Sequence, residues 1–201
     1  RKRDEDFEQI CADVMEDRSL GYTNDEDGYL ILKICQLVEL MSLRHCVFLM
    51  GAAGSFKSAV WRVLAKAKDA VGDKTTVTDI NPKAFGTHNF YGFMNMQTRE
   101  WKDGVLSKTL RHMGSIADTH KSDKLPTGTC WLVLDGDLDA NWIESMNSVM
   151  DDNRLLTLPS NERIPLKPHM KMLFEIRDLN FATPATVTRA GVVNMTDDHG
   201  V

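Results

Sequence analysis

The residues with the most chemical content stand together at Gly51-Ala-Ala-Gly-Ser-Phe-Lys-Ser58. Glycines at this spacing let successive backbone N–H groups converge on an anion. A lysine can reach the outer phosphates and a serine hydroxyl can ligate magnesium, all at a helix N-terminus whose dipole favours negative charge. The pattern G-x-x-x-x-G-K-[ST] is met at Gly51, Lys57 and Ser58, with an additional Gly54, and is broken at Phe56, where glycine is expected. If that position demands a positive φ, phenylalanine there costs about 1–2 kcal/mol, and its ring also crowds the phosphate path. Two readings stay open: a weakened phosphate site, or a glycine-containing strand-to-helix turn with no ligand. The order strand, loop, helix favours the first.

Asp135 is the second candidate, because it follows the apolar run Trp131-Leu-Val-Leu134 and a carboxylate so placed can orient magnesium beside a phosphate. Hydrolysis would also need a general base, worth about 10²–10⁴ in rate. The next residue is Gly136, and Asp137 lies one further along an extended chain, where it should point elsewhere. Asp135, Asp137 and Asp139 have the spacing of a calcium loop, but Ala140 replaces the required glycine and Met146 the closing glutamate, so that reading fails. Cys11, Cys35, Cys46 and Cys130 form no C-x-x-C pair and read as reduced, mostly buried thiols of an intracellular protein.

These groups need a scaffold, and the periodicities supply one. Leu30, Ile34, Leu37 and Met41 predict a helix over Tyr29–Leu43; Cys46–Met50 is a short apolar run suited to a parallel strand buried on both faces. A helix through Ala59, Val60, Val63, Leu64 and Ala67 follows the loop, then a strand over Thr75–Ile80 ended by Asn81-Pro82. The aromatic segment 84–104 is irregular, with Lys102-Asp103-Gly104 as a hairpin tip. Leu106, Leu110, Met113 and Ala117 predict a helix over Val105–Ala117. Residues 118–129 read as a surface loop, and Trp131–Leu134 as a third strand. Trp142, Ile143, Met146, Val149 and Met150 mark a helix, and 155–166 a hairpin turning at Pro159-Ser160-Asn161. Lys171–Ile176 is a fourth strand, Thr183-Pro184 starts a helix, and Gly191 precedes a last strand. Alternating strands and helices imply an α/β sandwich around a mostly parallel sheet.

The 201 residues, 42% hydrophobic and 26% charged, suit one ordinary globular domain. Apolar runs such as Cys46–Met50 are far shorter than the roughly 20 residues a membrane span needs, so no membrane role is expected. The net charge of −5 is concentrated early, since residues 1–30 hold 4 Lys/Arg against 10 Asp/Glu. Phe7, Ile10, Val14 and Met15 interrupt that acidic stretch at helical spacing, which makes it a solvated helix face. No basic stripe for nucleic acid is present. The opening Arg1-Lys2-Arg3, without an initiator methionine, leads to the expectation of a piece of something longer.

Longer motifs then acquire a family likeness. Asp79-Ile-Asn-Pro-Lys-Ala84, Thr98-Arg-Glu-Trp-Lys-Asp-Gly104, Trp131-Leu-Val-Leu-Asp-Gly136, the run from Trp142 to Asn153, and Ala182-Thr-Pro-Ala-Thr-Val-Thr-Arg189 together resemble the second AAA+ module of dynein heavy chains. Leu156–Leu166 and Thr188-Arg-Ala-Gly191 are more similar to axonemal outer-arm chains than to cytoplasmic ones. The resemblance implies an AAA+ three-layer α/β sandwich with β-hairpin inserts: one large subdomain over 1–201, cut from a longer chain and without the small helical subdomain. It implies a ring of six modules in one polypeptide, in which the second binds ATP or ADP with Mg2+ but does not hydrolyse it; Gly136 agrees. Carried onto this sequence, Ala53, Gly54, Ser55, Phe56, Lys57, Ser58 and Ala59 would bind nucleotide, Ser58 and Asp135 the metal. Glu175 would be the polar sensor, and Arg189 an arginine finger acting in trans on the preceding module. Leu20-Gly21 would lie near the adenine, with a surface turn as the plain alternative. The partners implied are the neighbouring modules and the linker, with intermediate and light chains and microtubules engaged only through the whole motor, in the axoneme of a cilium or flagellum. A nucleotide-free spacer and a weak ATPase remain the competing functions.

Overall fold

A computed structural model describes residues 4–16, 28–119, 129–137, 146–180 and 182–195. Five strands, β1 (Cys46–Met50), β2 (Thr76–Ile80), β5 (Cys130–Asp135), β8 (Met170–Ile176) and β9 (Gly191–Asn194), form one sheet in the order β2-β5-β8-β1-β9. Every neighbouring pair in it is parallel. The central strands β1, β5 and β8 read as mostly apolar runs because both faces of the sheet are covered there, whereas the edge strand β2 is only partly buried.

Alternation along the strands divides the core into two layers. Val47, Leu49, Val133 and Leu173 pack against α1 (Glu5–Glu16), α2 (Tyr29–Leu43) and α3 (Lys57–Ala70). Phe48, Leu132, Leu134 and Phe174 face the other side, against α5 (Val105–Thr119) and helical residues 146–150, here α6. The expected bounds of α2 and β1 coincide with the observed ones, and Thr183 caps α7 (Pro184–Arg189) by accepting the Thr186 N–H. In α1 the acidic side is exposed while Cys11 and Met15 are buried. No disulfide joins the four cysteines; Cys11, Cys46 and Cys130 are buried and Cys35 is half-buried, and burial pushes the Cys11 thiol up to about 12. The 120–128 part of the expected loop, and Trp142 and Ile143, lie outside the described residues.

The aromatic segment is more ordered than its pattern suggests. It contains α4 (Thr87–Tyr91) and an antiparallel hairpin of β3 (Gly92–Met94) and β4 (Trp101–Asp103). The tip is not at 102–104 as expected. The chain reverses over 95–100, where the Asn95 side chain accepts from the Gln97 and Thr98 N–H groups. Gly104 serves close packing instead, since a Cβ there would stand 2.4 Å from the Phe90 carbonyl oxygen and 2.5 Å from the Gly92 nitrogen. A second hairpin, β6 (Leu155–Thr157) and β7 (Arg163–Pro165), turns where expected. Arg111 of α5 ties the two hairpins together, with a forked pair of bonds to Glu162 at 2.7 and 2.6 Å and its Nε 3.0 Å from Asp103.

Candidate nucleotide site

From β1 the chain crosses to β2 at one edge of the sheet, whereas from β8 it crosses to β9 at the other. The carboxyl ends of β1 and β8 are therefore where the strand order reverses, the place where open α/β sheets bind ligands. A cleft of about 920 Å³ opens there, lined by Gly51–Ala59, Asp135–Asp137, Glu175–Arg177, Asn81 and Lys83.

The loop is built by close approach. The Gly51 N–H donates to the Ile176 carbonyl at 3.1 Å, and a Cβ at Gly51 would meet Ser55 Oγ at 2.5 Å and Met195 Cβ at 2.9 Å. Gly54 has φ +83°, and Phe56, immediately before α3, is left-handed at φ 61°, ψ 20°. The conformation that phenylalanine was expected to resist is therefore the one it adopts, with its side chain 56% exposed. No side chain caps α3, which leaves its first N–H groups for an anion. Lys57 Nζ lies over the loop and donates to the Gly51 and Ala52 carbonyls at 2.7 and 2.6 Å.

Strand period brings the acids to this end of the sheet. Leu173 faces the α3 layer, so Glu175, two residues on, does too, and Asp135 is its register partner on β5. Glu175 is buried, the Ser58 hydroxyl donates to its Oε2 at 2.7 Å, and the Trp61 indole N–H donates to its Oε1. Burial raises the Glu175 pKa; the bonds from Trp61 and Ser58 pull it down, and the charges of Asp135 and Asp79 push it up again. Asp79, on β2, is likewise raised, by burial and by Asp135 against the opposing Arg62.

Asp135 is exposed in the cleft, as a metal-orienting carboxylate requires. Asp137 lines the cleft with both oxygens engaged: Oδ1 accepts the Arg177 N–H at 3.2 Å, and Oδ2 lies 3.3 Å from Lys83 Nζ. It braces two loops at the cleft wall. A Cβ at Gly136 would meet only ordinary contacts, the nearest being Asn81 Oδ1 and Pro82 Cδ at 3.5 Å. Sterics therefore leave room for a side chain at the position where a hydrolytic base would stand.

Hydroxyl and carboxylate oxygens are hard donors of the type magnesium prefers. Among the described residues no group of three or more His, Cys, Asp or Glu could hold a metal alone. Magnesium is commonly bound by one or two carboxylates together with phosphates. Arg189 lies apart from the cleft lining, exposed on α7, with Nε 3.3 Å from Asp151 Oδ1. Leu20-Gly21 and Asp139 lie outside the described residues. Sequence reasoning missed Trp61, Lys83 and Arg177. For Trp61 there was one signal, a polar indole N–H three residues after Ser58 and so on the same helix face.

The family model for the AAA domain of the dynein-related subfamily matches residues 46–190, from the first residue of β1 to the residue before β9. The dynein alpha chain of the flagellar outer arm of Chlamydomonas reinhardtii is 50% identical over 98% of this chain and 4% of its own length. The ciliary dynein beta chain of Tripneustes gratilla is 49% identical and dynein axonemal heavy chain 9 of Homo sapiens 47%, each over 96% of this chain and 4% of its own. The chain thus spans about 4% of the length of the curated relatives it matches. With the parallel sheet, the loop at its switch point and these matches in agreement, the chain belongs to the AAA domains of the dynein-related subfamily.

Proposed function

We propose that this chain is a nucleotide-binding, non-hydrolysing regulatory module of an axonemal dynein motor. The observation that carries the reading is the 51–58 loop, already in its turned conformation at the mouth of α3, beside an Asp135 whose neighbour is glycine. Backbone N–H groups of residues 53–59 and Lys57 would hold the phosphates of ATP or ADP, with Ser58 and Asp135 facing the ion. Bound magnesium would offset phosphate charge beside these carboxylates. With glycine at 136 the residue next to Asp135 would offer no carboxylate to take a proton from water, so the nucleotide would be held and its presence passed to the ring neighbours and the linker. Arg189 would serve the preceding module. Microtubules and the intermediate and light chains would be met through the whole motor, in the axoneme of a cilium or flagellum.

Calorimetry with Mg-ATP is expected to give saturable heat with no phosphate release. No heat at millimolar nucleotide would reject the reading, and steady release abolished by Lys57→Ala would replace it with a weak ATPase.

Phe56 is the observation that favours the competing spacer. The strain at Phe56, however, acts on stability. The left-handed φ of Phe56 belongs to the strand-to-helix turn itself, so its cost falls on folding. Phe56→Gly should therefore raise stability by about 1 kcal/mol in urea denaturation while changing nucleotide affinity by less than about twofold. A large gain in affinity would mean that the exposed ring obstructs the site and that the native module stands empty.

A further inference from the structure

We propose that Glu175, held by Trp61, positions the Ser58 hydroxyl for the magnesium of a bound nucleotide; this rests on the nucleotide site proposed above. A serine hydroxyl has one proton and two lone pairs. Here the proton goes to Glu175 Oε2 at 2.7 Å, so a lone pair is left for a cation. The indole of Trp61 is a donor only and takes the other carboxylate oxygen. Each oxygen of Glu175 thus has its own donor, and the carboxylate cannot turn away from Ser58 without breaking a bond to a side chain that is 6% exposed. No hydrogen bond joins Ser58 to Asp135 among the described residues, so the carboxylate that follows the third sheet strand does not orient the serine.

Charge points the same way. Glu175 is 4% exposed, and its two hydrogen-bond partners are neutral donors. Among the described residues Glu175 has no cationic partner; a buried carboxylate so placed is costly, and a divalent cation at Ser58 would supply the missing charge. In this arrangement Glu175 is bonded to the proposed metal ligand Ser58. It is a positioning residue that acts through Ser58, and it links the occupancy of the site to β8 and to the second turn of α3.

The test compares ATP affinity with magnesium and with EDTA for the 201-residue chain and two variants. Glu175→Gln offers a single acceptor oxygen to two donors. It should weaken Mg-ATP binding about tenfold to a hundredfold, the range for loss of a group that orients a metal ligand. ATP binding in EDTA should change little. Trp61→Phe keeps the ring and removes the donor, and should lower the same magnesium-dependent gain by a smaller factor. The Trp61 indole proton resonance, assigned by its loss in Trp61→Phe, should shift in Glu175→Gln. If Glu175→Gln keeps the wild-type ratio of the two affinities while that resonance shifts, the inference is overturned and the nucleotide site stands. If Glu175→Gln does not fold, an unchanged ratio in Trp61→Phe overturns it equally. Absence of binding of either form by the wild-type chain would overturn both.

Discussion

Replacing Arg189 by alanine in the full motor chain is expected to slow hydrolysis in the preceding module about 10³-fold, the low end for loss of an arginine finger. ATP affinity at the 51–58 loop should be unchanged. The separation of effects follows from position. Arg189 is absent from the lining of this module's cleft, and its side chain, 42% exposed, is held by one ion pair of 3.3 Å to an Asp151 that is 36% exposed. Exposed pairs contribute about 0–1 kcal/mol, so a neighbour's phosphate could draw the guanidinium away at small cost. The helix below it is fixed more firmly. Thr183 caps α7, and Thr186, which is buried, donates to Asn147 Oδ1 at 2.7 Å, so the arginine is carried on a rigid end. Arg189→Lys keeps the charge but loses the planar fork, and should recover only part of the rate. Phosphate release by the whole motor, measured with nucleotide binding to this module, decides the matter. Unchanged release would remove Arg189 from the mechanism, and loss of release together with binding would trace the effect to misfolding.

What could be read in advance was local. β1, the loop and α3 were legible because an apolar run, two glycines with Lys57 and Ser58, and a helical period follow one another within 25 residues, 46–70. Asp135 was legible for the same reason, at the end of its own strand. The partner of Glu175 was not, because Ser58 and Trp61 are 117 and 114 residues away and meet it only once β8 lies beside β1. Asp137 likewise could be placed on its strand's extension, but not against Lys83, which is 54 residues earlier. The misplaced hairpin tip has a different cause. Gly104 was read by the turn chemistry of Lys102-Asp103-Gly104, whereas its actual constraint is the Phe90 backbone packed against it, a contact that no local pattern carries.

Lys57→Ala should abolish measurable nucleotide binding, weakening it by about 2–5 kcal/mol or some thirtyfold to several thousandfold, as expected when one member of a desolvated charge pair is truncated. The competing view is that Lys57 only staples an empty loop, for its ammonium already donates to the Gly51 and Ala52 carbonyls and stands 3.4 Å from Ser55 Oγ. The two roles separate in melting experiments. A staple contributes with or without nucleotide, so its loss would lower the melting temperature of the free chain and leave nothing for ATP to change. A phosphate ligand contributes through linkage: at nucleotide a hundredfold above its dissociation constant the wild type gains about 2.7 kcal/mol, and a variant that no longer binds gains none. The geometry favours the second outcome, since the carbonyls that Lys57 contacts border the open cleft, where water can replace the lost donor. Removing the lysine should therefore cost the free module little and should cancel the stabilisation that Mg-ATP confers on it.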